Sequence, residues 1–427
     1  MKVIIAGAGI GGLSAAIGLR RAGHDVTVFE RSSLLRETGA AVSVCPNASP
    51  ALLEWGFDVK RARMRIARRH LLALGDTLEV KEALEYPDFA QLYHGPWFLA
   101  HRVDLHSELR RLATEPSGPG QPVQLVLRSE VVTYDSAEGS IVLADKSVYH
   151  ADLVVAADGV HSSAVSQAIG RATPAVPTGL AVFRFLIPTD ELWQDPEIAP
   201  LLMEGFTKEE DGLMRTLCTD GSIRRLIWYP CANNAIQNFA VVHQVDRTDG
   251  NEGNWNRSAD LEDLLSHLED YHPSILRIIR KATTIKWWPL LYRDPIPTLT
   301  KGRLVLIGDA GHPMLPNQGQ GAGQAIEDAA ALSVIFTDLP ANPSKDEILN
   351  RLKLFDDIRI RRVSALQILS NASQDQAWKI KERAQEFMPE GVTVPATPAE
   401  FWAHNYGYDV LADCRRRMKE YLAGKKG

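Results

Sequence analysis

The feature that most narrows the fold of this chain sits at its start. Lys2 to Ala6 is a short apolar run suited to a buried parallel strand, and it leads directly into Gly7-Ala8-Gly9-Ile10-Gly11-Gly12. Gly11 to Ala22 has helical character and ends at Gly23, after which Asp25 to Glu30 alternates around Val26, Val28 and Phe29. Strand, glycine turn, helix and strand in this order make a βαβ unit. Within it Gly7 permits the tight turn, Gly9 lets a pyrophosphate approach the backbone, and Gly12 allows close helix–strand packing. The helix start offers free N–H groups and the positive end of its dipole to phosphates. Glu30, closing the second strand, suits a ribose diol and would repel a 2′-phosphate; Arg31 beside it completes the candidate set. A glycine turn that binds nothing is the bland alternative. The motif alone does not say which dinucleotide is held.

At 427 residues the chain suits two or three domains. Pro46 to Trp55, Val59 to Arg69 and Val103 to Ala113 read as helices. Val123 to Leu127, Val131 to Tyr134 and Ile141 to Leu143 read as a meander, and Asp152 to Ala157 as a second buried strand. From Gly179 to Val245 alternating runs predict an antiparallel sheet distinct from the parallel one. Leu261 to Ile279 returns to helix, Arg303 to Ile307 is a third buried strand, and the tail after Leu349 is mostly helical. The expectation is an α/β protein. It has a doubly wound, Rossmann-like domain from discontinuous segments (1–72, 98–175 and 285–370), a mixed or antiparallel-sheet substrate domain (73–97 and 176–284) and a helical C-terminal region (371–427).

Charge and cysteine usage exclude more than they suggest. A net charge of −6 gives no reason to expect nucleic acid or an anionic membrane as partner. The basic clusters Arg61 to Arg69 and Arg359 to Arg362 are interleaved with apolar residues and read as solvated helix faces. Cys45, Cys218, Cys231 and Cys414 have neither disulfide-framework nor metal-ligand spacing, so free thiols in a reducing, cytoplasmic setting and no bound metal are expected. No stretch reaches the roughly 20 apolar residues of a membrane span.

A second glycine-rich element separates the dinucleotides. Gly308-Asp309-Ala310-Gly311-His312-Pro313 is closed by Pro316-Asn317-Gln318-Gly319-Gln320-Gly321, with Ala322 following. An acid at a strand end suits ribityl hydroxyls. A glycine-rich helix start leaves N–H groups where a reduced flavin is negative. Arg102 in His101-Arg102-Val103-Asp104-Leu105 and Asp158 in Asp158-Gly159 add two further elements. In order and spacing these four motifs resemble the class A flavoprotein monooxygenases, of the salicylate and 3-hydroxybenzoate hydroxylase type. Trp402 to Asp409 resembles the tail of that subgroup. One departure stands out: where the family continues its Asp-Gly motif to an arginine, this chain has Val165.

The resemblance implies FAD held by Gly7, Gly9, Gly12, Glu30, Arg31, Arg102, Asp158, Asp309, Pro316, Gly319, Gln320, Gly321 and Ala322. It implies reduction by NADH or NADPH, addition of O2 at flavin C4a, and oxygen transfer from the hydroperoxide to a small electron-rich aromatic ring. The expected form is a monomer or homodimer. On the substrate side, Arg225, Ile227 and Tyr229 share one strand face. Some relatives carry a His where this chain has Arg225, and a guanidinium holds an anion but does not act as a base. His243 is therefore a candidate base, with a satisfied sheet histidine the equal alternative. Arg184 matches an arginine the family places beside the flavin. Epoxidation of an indole or alkene, a flavin reductase without oxygen insertion, and a non-catalytic flavin module are the other readings.

Overall fold

The computed structural model describes residues 1–33, 40–203, 212–219, 223–245, 257–340, 342–372 and 378–424. Its centre is a six-stranded sheet in the order Thr300–Lys301, Leu304–Leu306, Leu153–Ala156, Lys2–Ala6, Asp25–Glu30, Gln124–Leu127. The neighbours are parallel except for the short pairing of Thr300–Lys301 with Leu304–Leu306. Val3, Ile5, Leu153, Val155, Leu304 and Val305 are buried, as expected where helices cover both faces. The first helix, Ile10–Arg21, packs against the long helix Gly321–Ile335. A Cβ on Gly18 would lie 2.7 Å from Ser333 Cβ and one on Gly11 would lie 3.2 Å from Ala325 Cβ, so small residues set that close approach.

Two elements depart from the sequence reading here. Gln124–Leu127 is not part of a meander: it pairs parallel with Asp25–Glu30, and the antiparallel sheet is Val131–Asp135, Ser140–Leu143 and Val148–His150. Alternation marks a strand without choosing its partner. Here the helix Arg102–Thr114 precedes it and supplies the crossover that parallel pairing needs. The expected helix at Val59 to Arg69 is instead a turn followed by the strands Arg65–Ile66 and Arg69–Leu74. Arg63 there has φ of 48°, and Arg68 N–H donates to Gly212 O at 3.0 Å. Sheet pairing overrides a helical spacing of side chains. Leu261 to Ile279 is likewise two short helices, Leu261–Ser266 and Pro273–Ile279, the proline opening the second.

The second sheet has eight strands, in the order Arg257–Ser258, Ile285–Tyr292, Val176–Pro188, Ile236–Gln244, Arg225–Cys231, Leu213–Cys218, Arg69–Leu74, Val80–Glu85. Its pairings among the described residues are antiparallel except that of Leu213–Cys218 with Arg69–Leu74. The sheet takes in Ile285–Tyr292, past the expected boundary at 284, and starts at Arg69, before the one at 73. One face, bearing Phe183, Phe185, Leu226, Trp228, Phe239, Val241 and Trp287, packs on short helices inserted between its strands, among them Thr189–Trp193, Leu261–Ser266 and Pro273–Ile279. The other meets a small sheet of Ala41–Val44, Phe98–His101 and Arg65–Ile66. There Ala41 N–H donates to Asn238 Oδ1 at 3.1 Å. The C-terminal part is helical: Lys345–Leu369, Pro398–Tyr406 and Val410–Gly424 dock on these layers. No helix of the described residues is long and apolar enough to cross a membrane.

Candidate functional site

The carboxyl ends of four parallel strands open side by side, at the point where strand order runs outward in both directions from Lys2–Ala6. Gly7 has φ of 97°, and a Cβ there would lie 2.5 Å from Ala157 O; a Cβ on Gly12 would lie 1.9 Å from Gly7 O. Protein packing thus explains both glycines. Gly9 is different: nothing lies within 4 Å of where its Cβ would be, so the backbone there is bare toward the groove. Gly9 is also the N-cap of the first helix and no side chain caps its amides. Glu30 accepts from Ala8 N–H at 2.8 Å and Ser32 N–H at 2.7 Å, which leaves lone pairs for a diol. His106 Nε2 donates to Ala8 O at 2.6 Å, fixing the loop from the other side.

Across the groove, the Tyr134 hydroxyl donates to Asp158 Oδ2 at 2.6 Å. Burial raises the Asp158 carboxyl, against hydrogen bonds from Ser162 and Tyr134 and the nearby Arg31. Asp309 stands in the turn after the neighbouring strand and is open to solvent on one side. The protein around it pushes its carboxyl up, while His312, Arg293 and Arg102 pull it down. Arg293 stitches the two strand ends together, donating from Nη1 to Ala310 O and from Nη2 to Val160 O, both at 2.9 Å. Neither His106 nor Arg293 carries a motif, so only the fold brings them here. Val165 is buried in the short helix Ala164–Ile169.

The second glycine-rich loop forms the short 3-10 turn Pro316–Gln318, then Gly319 at φ of 62°, then the start of Gly321–Ile335. Pro316 is exposed, Gly319, Gly321 and Ala322 are half-buried, and no side chain caps the helix. The Gln320 side chain points away: it is fully buried, with Asn47 Nδ2 donating to its Oε1 at 3.1 Å and Gln324 Nε2 donating at 3.1 Å. Only its backbone is left for a ligand. Beneath the helix start lies a buried ion cluster. Arg359 Nε donates to Asp328 Oδ1 at 2.8 Å and its Nη1 reaches Glu327; Arg362 donates to Glu327 at 2.7 and 2.8 Å. Asp328 Oδ2 accepts from Gly308 N–H at 2.9 Å and from His312 Nε2 at 2.6 Å. Burial works to raise both carboxyls, but the surrounding Arg359, Arg362 and His312 outweigh it and hold them below the usual range. The cluster at Arg359 to Arg362 is therefore not a solvated face: Arg359 is 0% exposed. Adjacent Glu327 and Asp328 in an alanine-rich helix were the available signal.

On the large sheet, Tyr229 pairs with Asn238, and Arg184 with Ala240 and Lys286, on the face toward Ala41. Burial pushes the Tyr229 hydroxyl up, with Arg184 opposing, so it stays protonated at neutral pH. Burial lowers the Arg184 guanidinium, Tyr229 raises it and Arg102 lowers it; Arg184 also lies over the Trp288 ring at 5.0 Å. Arg225 shares the Tyr229 face, about 13 Å away along the strand at a rise of ~3.3 Å per residue. His243 does not join them. It pairs with Ala181, stacks on Phe183 at 4.6 Å between ring centroids, and sits on the helix-covered face. The expected base role fails because a one-residue step in a strand changes face. Trp287 faces the helices and Trp288 the other side. Burial raises the Cys45 and Cys231 thiols to about 12, so both are inert at neutral pH.

A doubly wound sheet with two uncapped glycine-rich helix starts and acids at its strand ends defines a dinucleotide-binding protein. Residues 130–351 match the family described as FAD binding domain, and residues 1–173 the pyridine nucleotide-disulphide oxidoreductases. The chain is 37% identical to an FAD-dependent monooxygenase of Aspergillus candidus, over 99% of this chain and 96% of the relative. It is 32% identical to hispidin-3-hydroxylase of Neonothopanus nambi, over 99% and 97%. CtdE, solved with FAD and a substrate, shares the fold with a TM-score of 0.79 at 22% identity, over 99% of this chain and 98% of that one. The chain belongs to the FAD-dependent monooxygenases of the class A aromatic-hydroxylase family, and it is an enzyme.

Proposed function

We propose that this enzyme hydroxylates an electron-rich aromatic ring, phenolic or N-heteroaromatic, at the sheet face that carries Tyr229 and Arg184. The observation that carries this reading is the link through Ala40 and Ala41: Arg102 N–H donates to Ala40 O at 2.8 Å, and Ala41 N–H donates at 3.1 Å to Oδ1 of Asn238, the strand partner of Tyr229. The segment that carries Arg102 thus abuts the sheet face that carries Tyr229. The residues fit FAD: bare backbone at Gly9, uncapped amides at Gly321 and Ala322, and carboxylates at Glu30, Asp158 and Asp309. The proposed set also takes in Arg31, Arg102, Pro316, Gly319 and the Gln320 backbone, with Gly7 and Gly12 shaping the turn beneath. Once bound and reduced by NADH or NADPH, FAD supplies the electrons that let one atom of O2 enter the ring and the other leave as water.

The chain itself binds, orients and excludes water. The free amides at Gly321 and Ala322 favour negative charge in front of them. Tyr229, held as a neutral hydroxyl, donates to or accepts from a ring oxygen, and Arg184 draws that oxygen toward the anion, which enriches the ring in electrons. Hispidin-3-hydroxylase, by its name, hydroxylates hispidin, which supports an aromatic-type acceptor here. The enzyme would act in the cytoplasm as a monomer or homodimer. Tyr229→Phe is expected to keep flavin content and slow product formation about 10-fold, the worth of one well-placed hydrogen bond. Hydroxylation at the wild-type rate, followed as product with NADH or NADPH and a panel of phenols, hydroxypyridines and indoles, removes the assignment.

A further inference from the structure

We propose that Ala240, in the middle of the large sheet, sets how large a ring system the enzyme accepts; the inference rests on aromatic hydroxylation at the face of Tyr229 and Arg184. Ala240 lies on the strand Ile236–Gln244, which is paired on both sides. Arg184 stands opposite it on one neighbour and Ile227 on the other. Phe239 and Val241 pack on the helix side, so the Ala240 methyl points to the other face, with Tyr229 and Arg184. Two residues away along that face, Asn238 is 2% exposed and Val242 is 5% exposed. Ala240 between them stays partly open to solvent, as do Arg184 and Ile227 beside it. A hollow therefore opens over Ala240, closed along the strand and open across it.

The strands of Arg184 and Ile227 lie two strand spacings apart, about 10 Å, and only a methyl group rises between them. The floor is flat and apolar. Arg184, at one end, lies over the Trp288 ring at 5.0 Å. Its Nε has no hydrogen-bond partner, and among the described residues no carboxylate acts on its guanidinium. A ligand that brings an ionisable oxygen to Arg184 supplies the missing counter-charge, and a flat ring body covers the methyl floor. A single ring anchored at Arg184 ends near Ala240; a second, fused ring carries the ligand on to Ile227. The substrate class is thus a hydroxylated planar system of two fused rings, with its oxygen toward Arg184. Ala240→Val would add two methyl groups to the floor, blocking that span while leaving the Arg184 end open.

Phenol and 2-naphthol test this, titrated separately into the FAD-loaded enzyme and followed by the change in flavin absorbance. Both bring one hydroxyl to Arg184, but only 2-naphthol must cross residue 240 with a second ring. Wild type is expected to hold 2-naphthol tighter than phenol. Ala240→Val should lower that preference about 10-fold, within what overpacking costs, with flavin content unchanged. Valine suits a strand and this side chain points out of the core, so the variant is expected to fold. A merely structural role would shift both ligands alike and leave their ratio untouched. Ala240→Gly, which only removes bulk, should keep the preference; losing it there would mark a damaged strand, not a filled hollow, and overturn the assignment. An unchanged ratio in Ala240→Val also overturns it, as does a fall in that variant's flavin content, which would give the hollow to the flavin. Wild type that binds neither ligand, or holds 2-naphthol no tighter, does the same. In those cases hydroxylated product from the wider panel keeps the proposed function standing; no product from any ring removes that function as well.

Discussion

At the scale of single residues, the glycines of the first turn separate into two kinds. Gly12 is required by the protein: an added Cβ would sit 1.9 Å from Gly7 O, a backbone atom that has nowhere to go. Gly9 has open space in front of it. Gly12→Ala is therefore expected to destabilise the fold by at least 1–3 kcal/mol, roughly the cost of overpacking. Gly9→Ala should leave the melting temperature of the FAD-free protein unchanged and lower the flavin retained through purification. Flavin absorbance per protein and thermal melts of both variants check this; full flavin retention in Gly9→Ala would refute the role given to it. Sequence alone assigned all three glycines one motif. Which of them serves the chain and which the ligand depends on neighbours such as Ala157, far away in sequence.

At the scale of elements, the helix Gly321–Ile335 has two tasks. Its start presents bare amides, and its first turns carry Glu327 and Asp328 into the ion cluster with Arg359 and Arg362 of Lys345–Leu369. Asp328 also holds Gly308 N–H and His312, so the cluster fixes the turn that carries Asp309. Removing one partner leaves a buried charge uncompensated, which costs about 3–5 kcal/mol. Asp328→Asn is expected to lose that much in urea unfolding and to bind FAD more weakly. A loss below about 1 kcal/mol would mean the cluster is better hydrated than its burial implies. The sequence reading found this helix and its glycine start correctly but took Arg359 to Arg362 for a solvated face. The spacing of those arginines is compatible with either side of a helix, and only the docking of one helix on the other selects the inner one.

At the scale of the whole molecule, the cofactor-binding layer is assembled from distant segments, and small contacts close it. His24, just after the first helix, donates from Nε2 to Phe336 O at 2.8 Å, joining the N-terminal βαβ unit to the end of Gly321–Ile335. Burial lowers its imidazole from 6.5 to about 4, with the N-terminus and Arg351 adding to this and the Phe336 carbonyl and Asp152 opposing. The unfolded chain takes up a proton near pH 6.5 that the folded chain refuses until about pH 4. Stability from this group is thus complete above pH 6.5 and lost as pH falls toward 4, on the order of 3 kcal/mol in all. His24→Gln should unfold in urea with a smaller difference between pH 7 and pH 4.5 than wild type; an equal difference would refute the linkage.

What the sequence by itself determined is whatever depends on near neighbours. The βαβ unit, the second glycine-rich helix start and the α/β class follow from residues a few positions apart, and the resemblance that implies flavin chemistry rests on such local motifs. Strand pairing, and the face each side chain takes, were decided only by the tertiary structure. His243 and Tyr229 show why: both lie on strands, but register puts His243, opposite Ala181, against the helices and Tyr229, opposite Asn238, on the other face. A period of two residues says that faces alternate, and only the packed layers say which face looks at the site.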